Sequence, residues 1–248
     1  HIDTGMNRLG LTLDEAQGIL SRSNAGEHGI TLVMSHLACA ESLHHPLNAS
    51  QVAAFREIAR QFSGVPASLA NSSGIFLGVR YQFDLVRPGA ALYGVNHTPE
   101  AANPMQPVVE LKARIVQTRS IDKGESVGYG ATWTARRPPR LAVVSAGYAD
   151  GYFRVGGSND GTRGAEVVVA GTRCPVAGRI SMDLLAVDIT DLPAHAGVRR
   201  GHLATLIGEG ITVDELAHHF GTIGYEVLTS LGGRYHRIYK GGPAEPRT

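Results

Sequence analysis

Pro66-Ala67-Ser68-Leu69-Ala70-Asn71-Ser72-Ser73-Gly74 is a short apolar run that stops abruptly in small polar residues. Two other stretches of the first half have the same form. Thr31-Leu32-Val33-Met34 gives way to Ser35-His36, and Phe83-Asp84-Leu85-Val86 to Arg87-Pro88-Gly89. Each run has the length and residue types of a strand bounded by turn residues. Helical patterns lie between and before them. Thr12-Leu13-Asp14-Glu15 is a capping box whose helix carries Ala16, Ile19 and Leu20 on one face. A second helix is expected after Ser50, with Val52, Phe55, Ile58, Ala59 and Phe62 aligned. Strands alternating with helices argue parallel βα units. Polar residues at three successive strand ends match the place where a βα barrel carries its chemistry. The Ser72 hydroxyl and the backbone N–H groups around Gly89 could hold a phosphate; the same residues also suit turns held by local hydrogen bonds. Three strands can neither close a barrel nor cover both faces of a sheet, so this half reads as incomplete.

Past Thr98-Pro99-Glu100 and Pro104 the pattern changes, and a boundary is expected near residue 106. Val108 to Gln117 alternates apolar and polar residues, as do segments near Leu141, Val167 and Leu184. Lys123-Gly124, Gly156-Gly157, Ala170-Gly171 and Ala177-Gly178 supply turns between them. That is antiparallel β structure, a barrel or a sandwich. A second capping box, Thr212-Val213-Asp214-Glu215, starts a helix containing Leu216 and Phe220.

The 248 residues are 43% hydrophobic and 18% charged, a balance of folded rather than disordered chains. No apolar run approaches the roughly 18 residues of a membrane span. A formal charge of +1 gives no general field for a nucleic acid. Cys39 and Cys174 are too few and too separated for a disulfide framework or a zinc site, which makes reducing cytoplasm the expected compartment. The histidine pairs His44-His45 and His218-His219 lack a third ligand at metal spacing, and no metal is expected. Gly156 to Gly161 lacks a P-loop Lys and is read as a hairpin loop. Of 23 basic residues only Lys112, Lys123 and Lys240 are lysines. The chain opens on His1-Ile2-Asp3, with neither an initiator Met nor a signal peptide, and reads as cut in mid-element.

Two tyrosines stand out in the second half, in Gly128-Tyr129-Gly130-Ala131-Thr132 and Gly147-Tyr148-Ala149-Asp150-Gly151. Small flanking residues expose each ring and let a ligand come close. A phenol, with a pKa near ~10, acts as a base only where cations or donors stabilise its phenolate. Packing at a strand end is the plain alternative for either ring.

Six segments in order carry a resemblance to bacterial alanine racemase, a pyridoxal-phosphate (PLP) enzyme family. They are Asp3-Thr4-Gly5-Met6-Asn7-Arg8-Leu9-Gly10, Ala70-Asn71-Ser72, Arg87-Pro88-Gly89-Ala90-Ala91-Leu92-Tyr93-Gly94, the two tyrosine segments, and Gly178-Arg179-Ile180-Ser181-Met182-Asp183. The resemblance implies residues 1–106 as the C-terminal part of a PLP-binding, TIM-like βα barrel, and 107–248 as a mainly antiparallel β domain. It implies a head-to-tail homodimer in which each active site combines one barrel with the partner's β domain. Arg8 would contact the cofactor's phenolic oxygen and the substrate's carboxylate side. Asn71 and Ser72, with the backbone at Gly89 and Ala90, would hold the cofactor and its phosphate. Arg87 would face the pyridine nitrogen, hydrogen-bonded to His36. A guanidinium, unlike a carboxylate, leaves that nitrogen unprotonated, which weakens the electron sink and restrains transamination. Tyr129 would be the base for the α-proton of the L-enantiomer, its phenolate favoured by His36 and Arg87. Tyr148 would narrow the substrate entrance, and the Met182 N–H would bind the substrate carboxylate.

The implied function is that of an isomerase interconverting L- and D-alanine for peptidoglycan synthesis by a two-base mechanism. In this family the second base is the Schiff-base Lys of the first barrel strand, which precedes the segment matching Asp3. None of the three lysines here corresponds to it. The chain alone is therefore expected to be inactive, and to aggregate or require a complementary N-terminal segment, since a partial barrel exposes unpaired edges. His1 stands where family members often carry a carbamylated Lys. Gly233 stands where some have a phosphate-contacting Tyr, for which Tyr235 is a possible substitute. A broad-specificity amino-acid racemase is the near alternative. A non-catalytic dimerisation or partner module is the distant one: the missing Lys favours it, and the retained Tyr129, Tyr148, Arg87 and Met182 oppose it.

Overall fold

In the computed structural model, which describes residues 1–22 and 29–241, the chain divides into two units, His1–Val108 and Val109–Thr248. The first unit is α/β. Its opening helix α1 (Leu13–Leu20) starts at the capping box: the Thr12 hydroxyl accepts from Glu15 N–H, and the Glu15 carboxylate accepts back from Thr12 N–H at 2.8 Å. Strands β1 (Val33–Met34) and β2 (Ala67–Ser68) pair in parallel, Val33 opposite Ala67. The connection between them is α2 (Pro46–Ala59), whose buried face carries Val52, Phe55 and Ile58. This helix begins upstream of the expected start after Ser50. Pro46 fixes the first helical φ, and His45 Nδ1 caps the turn by accepting from Leu47 N–H at 3.2 Å.

The third expected strand, Phe83–Val86, does not form. Phe83 sits at φ +57°, in the left-handed region where a pleated strand cannot continue. One isolated antiparallel bridge to Ser68 is what remains. The N–H groups of Asp84 and Leu85 converge on the Ala67 carbonyl, while Asp84 Oδ2 accepts from Ala67 N–H at 2.8 Å. The turn thus caps β2 sideways, and its ring packs edge-on against Phe55 at 4.9 Å. Around these two aromatic rings Ile2, Val33, Leu37, Ala67, Leu69 and Tyr81 complete the core.

The second unit is built on a six-stranded antiparallel sheet. In chain order its strands are β3 (Leu111–Ser120), β6 (Arg140–Val144), β7 (Glu166–Val169), β8 (Thr172–Pro175), β9 (Leu185–Asp188) and β10 (Leu203–Ile207). A separate two-stranded ribbon consists of β4 (Ser126–Val127) and β5 (Trp133–Thr134). In space the sheet runs β8-β7-β10-β3-β6-β9. Its two edge strands approach each other and are linked by a bridge between Val176 and Val187, so the sheet curls into a nearly closed barrel. Between the barrel and sandwich readings, the barrel is the one found. Along β3 the alternation puts Leu111, Ala113 and Ile115 inside and Lys112, Arg114 and Val116 outside. The β7–β8 turn holds Ala170 and Gly171 at φ +49° and +77°, the twist a two-residue hairpin requires. The second capping box starts α4 (Val213–Phe220), and α5 (Gly224–Ser230) follows. No helix among the described residues is long and apolar enough to cross a membrane.

Candidate active site

In the first unit the residues around the ends of β1 and β2 form one polar cluster. Arg87 is half-buried at its centre. Its Nη1 donates to Ser68 Oγ, and its Nη2 donates to the Ser35 carbonyl at 2.7 Å and the Leu69 carbonyl at 3.3 Å. Nη2 also lies 3.4 Å from His36 Nδ1. A guanidinium can only donate, so that imidazole nitrogen is the acceptor. Burial lowers the pKa of His36, and the nearby charges of Arg87 and Arg8 lower it further, so the ring is held neutral. Among the described residues no carboxylate pairs with Arg8 or Arg87.

Arg8 is carried on a turn fixed by Asp3. The Asp3 carboxylate accepts from the N–H groups of Gly5 at 2.8 Å and Met6 at 2.9 Å, bonds that pull its pKa down. The hydroxyls of Thr4 and Ser35 meet at 2.7 Å and tie that turn to the end of β1. Beneath both lies Gln51, fully buried on α2. It donates to the His36 carbonyl and accepts from Ala38 N–H, each at 2.9 Å. Nothing in the local sequence distinguishes Gln51 from any other polar residue of a helix, and it escaped the sequence reading; so did Ser68.

Ser72 is buried at the start of α3 (Ser72–Phe76). Its Oγ accepts from Gly89 N–H at 2.8 Å and, more weakly, from Ala91 N–H at 3.4 Å. The Gly89 donor is therefore already engaged, whereas Ala90 N–H has no acceptor among the described residues. Asn71 N-caps α3 by accepting from Gly74 N–H at 2.9 Å, and its amide nitrogen lies 3.4 Å from His36 Nε2. Arg8, His36, Asn71, Ser72, Arg87, Gly89 and Ala90 thus share the strand-end region of one unit. Two cations, a neutral imidazole and open hydroxyl and amide donors give this region the chemistry to receive an anion.

The second unit supplies Tyr129, Tyr148 and Met182. Gly128 and Gly130 flank Tyr129 at φ +79° and +76°, and the turn holds the ring 71% exposed. Tyr148 sits in a turn clamped to the Met182 loop: Tyr148 N–H donates to the Ser181 carbonyl at 3.1 Å and Ala149 N–H to that of Met182 at 3.0 Å. A Cβ on Gly147 would lie 2.3 Å from the Ser181 carbonyl oxygen, so only glycine allows this approach. Met182 N–H has no acceptor among the described residues. A cleft of about 600 Å³ in the same unit, lined by Trp133, Arg137 and Arg163, holds none of these three residues. Lys112 lies on β3, paired with Glu110 at 2.6 Å. Tyr235 buries its hydroxyl without a hydrogen-bond partner among the described residues, and burial together with the Asp150 carboxylate pushes its pKa up to about 12.

The family described as Alanine racemase, C-terminal domain, matches residues 108–239, and that described as Alanine racemase, N-terminal domain, matches residues 1–97. An alanine racemase of Methylobacterium sp. (strain 4-46) is 52% identical over 239 residues, covering 96% of this chain and 64% of the relative. One of Rhizobium meliloti (strain 1021) is 49% identical over 249 residues, covering 98% and 65%. Among solved structures, the alanine racemase of Bartonella henselae with covalently bound pyridoxal phosphate superposes with a TM-score of 0.86 at 42% identity, covering 96% of this chain and 64% of that one. The biosynthetic alanine racemase of Pseudomonas aeruginosa does so with a TM-score of 0.86 at 38% identity, covering 96% and 65%. The chain thus spans about 64% of the length of the first of these relatives.

Proposed function

Because the chain belongs to the alanine racemase family, we propose that the protein carrying it is a PLP-dependent isomerase that interconverts L- and D-alanine, in the cytoplasm and for peptidoglycan synthesis. The first unit is then the C-terminal part of a TIM-like barrel. The protein works as a head-to-tail homodimer, each site using the first unit of one subunit and the second unit of its partner.

The observation that carries this reading is Arg87, a half-buried guanidinium whose described partners are all neutral. PLP, when bound, supplies the electron sink that makes an amino acid's α-proton removable. The chain's residues suit that group. Ser72 retains a hydroxyl proton to donate while its oxygen accepts from Gly89, and Ala90 offers a further N–H toward a phosphate. Arg87 can donate but has no proton to yield, and so holds a ring nitrogen as an acceptor. His36, neutral, keeps Arg87 in place without adding charge. Arg8 lies open toward a phenolate or carboxylate oxygen.

Opposite this region, Tyr129 of the partner subunit takes the α-proton of L-alanine at its phenolic oxygen and returns one in the reverse direction. Met182 N–H of the partner subunit receives the substrate carboxylate, and the Tyr148 ring narrows the substrate entrance. The test is alanine racemisation by the intact protein loaded with PLP. Y129F should lower kcat by about 10²–10⁴-fold, the usual worth of a positioned acid–base group, and leave PLP absorbance unchanged. Full activity in Y129F, or absence of PLP absorbance in the wild type, would refute the assignment.

A further inference from the structure

Three loops of the second unit meet on one guanidinium. Arg234, in the segment after α5, pairs through Nη1 with Asp183 Oδ1 at 2.7 Å and through Nε with Asp150 Oδ1 at 3.2 Å. Asp150 is nearly buried, and its other oxygen accepts from Gly147 N–H at 2.9 Å. One carboxylate therefore fixes the first residue of the Tyr148 turn. Arg234 ties that carboxylate to Asp183, the immediate neighbour of Met182. The third loop is held as well, since Gly232 N–H donates to the Asp150 carbonyl at 3.3 Å.

The packing beneath these charges leaves little slack. A Cβ on Gly151 would stand 2.0 Å from the Ser230 carbonyl oxygen, the counterpart of the close approach at Gly147. What remains adjustable is the outer end of the Met182 loop, where Asp183 is half-exposed. A guanidinium holds its donors in a rigid planar fork, so one that bridges two carboxylates sets the distance between them. An ammonium would act as a point charge without that geometry.

We propose that Arg234 is a positioning residue: by bridging Asp150 and Asp183 it fixes the offset between the Tyr148 ring and the Met182 N–H, and so the space beside the substrate carboxylate. The inference rests on the racemase reading, in which those two groups meet the amino acid. Among the described residues Arg234 bonds to neither of them; it acts through the two aspartates.

The experiment uses the intact, PLP-loaded protein and measures alanine kinetics for wild type, R234M, R234K and D183N. Losing both charge-assisted contacts should raise KM for alanine about tenfold in R234M, with kcat within about twofold and PLP absorbance unchanged. R234K should recover part of the loss. D183N should raise KM less, and the double variant should be no worse than R234M, because both changes weaken the same bridge. Amide exchange at Tyr148 and Ala149 should quicken in R234M, a readout independent of turnover. If R234M fails to fold, D183N decides, since it takes the charge from the outer pair alone and leaves Asp150 paired. An active wild type whose KM is unmoved by D183N, or by a folded R234M, overturns the bridge alone. A wild type loaded with PLP that does not racemise alanine overturns both readings.

Discussion

The first unit buries Ser35, Asn48, Gln51, Ser68, Ser72, Ser73 and His97, whereas among the described residues the second buries Asp150 and Ser158 as its polar side chains. The second unit is held by long antiparallel ladders around Leu141, Val144, Val167, Val187 and Leu206. Among its described residues the first has two parallel strands of two residues each, and fixes its loops by side chains bonded to backbone. The contrast separates two ways of presenting chemistry. A buried polar network costs desolvation unless every member is satisfied, and such networks hold groups in one place. A nearly closed β framework instead frees its turns to carry exposed groups, here Tyr129 and Tyr148.

Breaking the framework should do the most damage. L206A empties a fully buried site and should cost about 2–5 kcal/mol of stability. Denaturant unfolding would measure it, and amide exchange should rise across the whole six-stranded sheet. An exchange increase confined to β10 would contradict the cooperative framework. Gln51→Leu attacks the other kind of order. It strips partners from the His36 carbonyl and Ala38 N–H, for about 1–3 kcal/mol. Here the increased exchange should stay within the first unit, near Ala38.

A third test uses pH. The folded pKa of His36 lies below its ordinary value, through burial and then the charges of Arg87 and Arg8. Below that ordinary value, near ~6.5, the unfolded chain binds more protons than the folded one. The stabilisation is therefore complete above it and is lost as pH falls toward the lowered folded pKa. Thermal melts across this window should show the loss, and H36Q should remove that part of the pH dependence. The smallest effect is expected on the surface of the second unit. R137A cuts an exposed pair with Asp191 and should leave the melting temperature unchanged within error, as isolated surface pairs usually do.

Local signals were the ones legible in the sequence. The two capping boxes begin helices at Leu13 and Val213 because a Thr and a Glu at that spacing satisfy each other's backbone donors. The alternation expected from Val108 to Gln117 and near Leu141, Val167 and Leu184 fell on strands, the first and last beginning at Leu111 and Leu185, because period-two burial is written residue by residue. Phe83 misled, since a β-favouring aromatic carries no sign that tertiary packing will hold it at positive φ. The helix at Ser72 was hidden in a cluster of small polar residues that suits a turn equally well, and α5 starts at Gly224, a poor helix former. In the site, the strand-end residues stood out by repetition. Gln51, Ser68, Asp150 and Arg234 did not, because each acts through a partner distant in sequence.

The claim that active sites are assembled from the first unit of one subunit and the second unit of another can be tested by complementation. Y129F and R87A variants of the intact protein, each inactive alone, should be co-expressed and assayed for alanine racemisation. Random pairing in a two-fold dimer gives hybrids with one intact site of two, so activity should return to about a quarter of wild type. Co-expressed variants that form hybrid dimers yet remain as inactive as either parent would contradict the shared site.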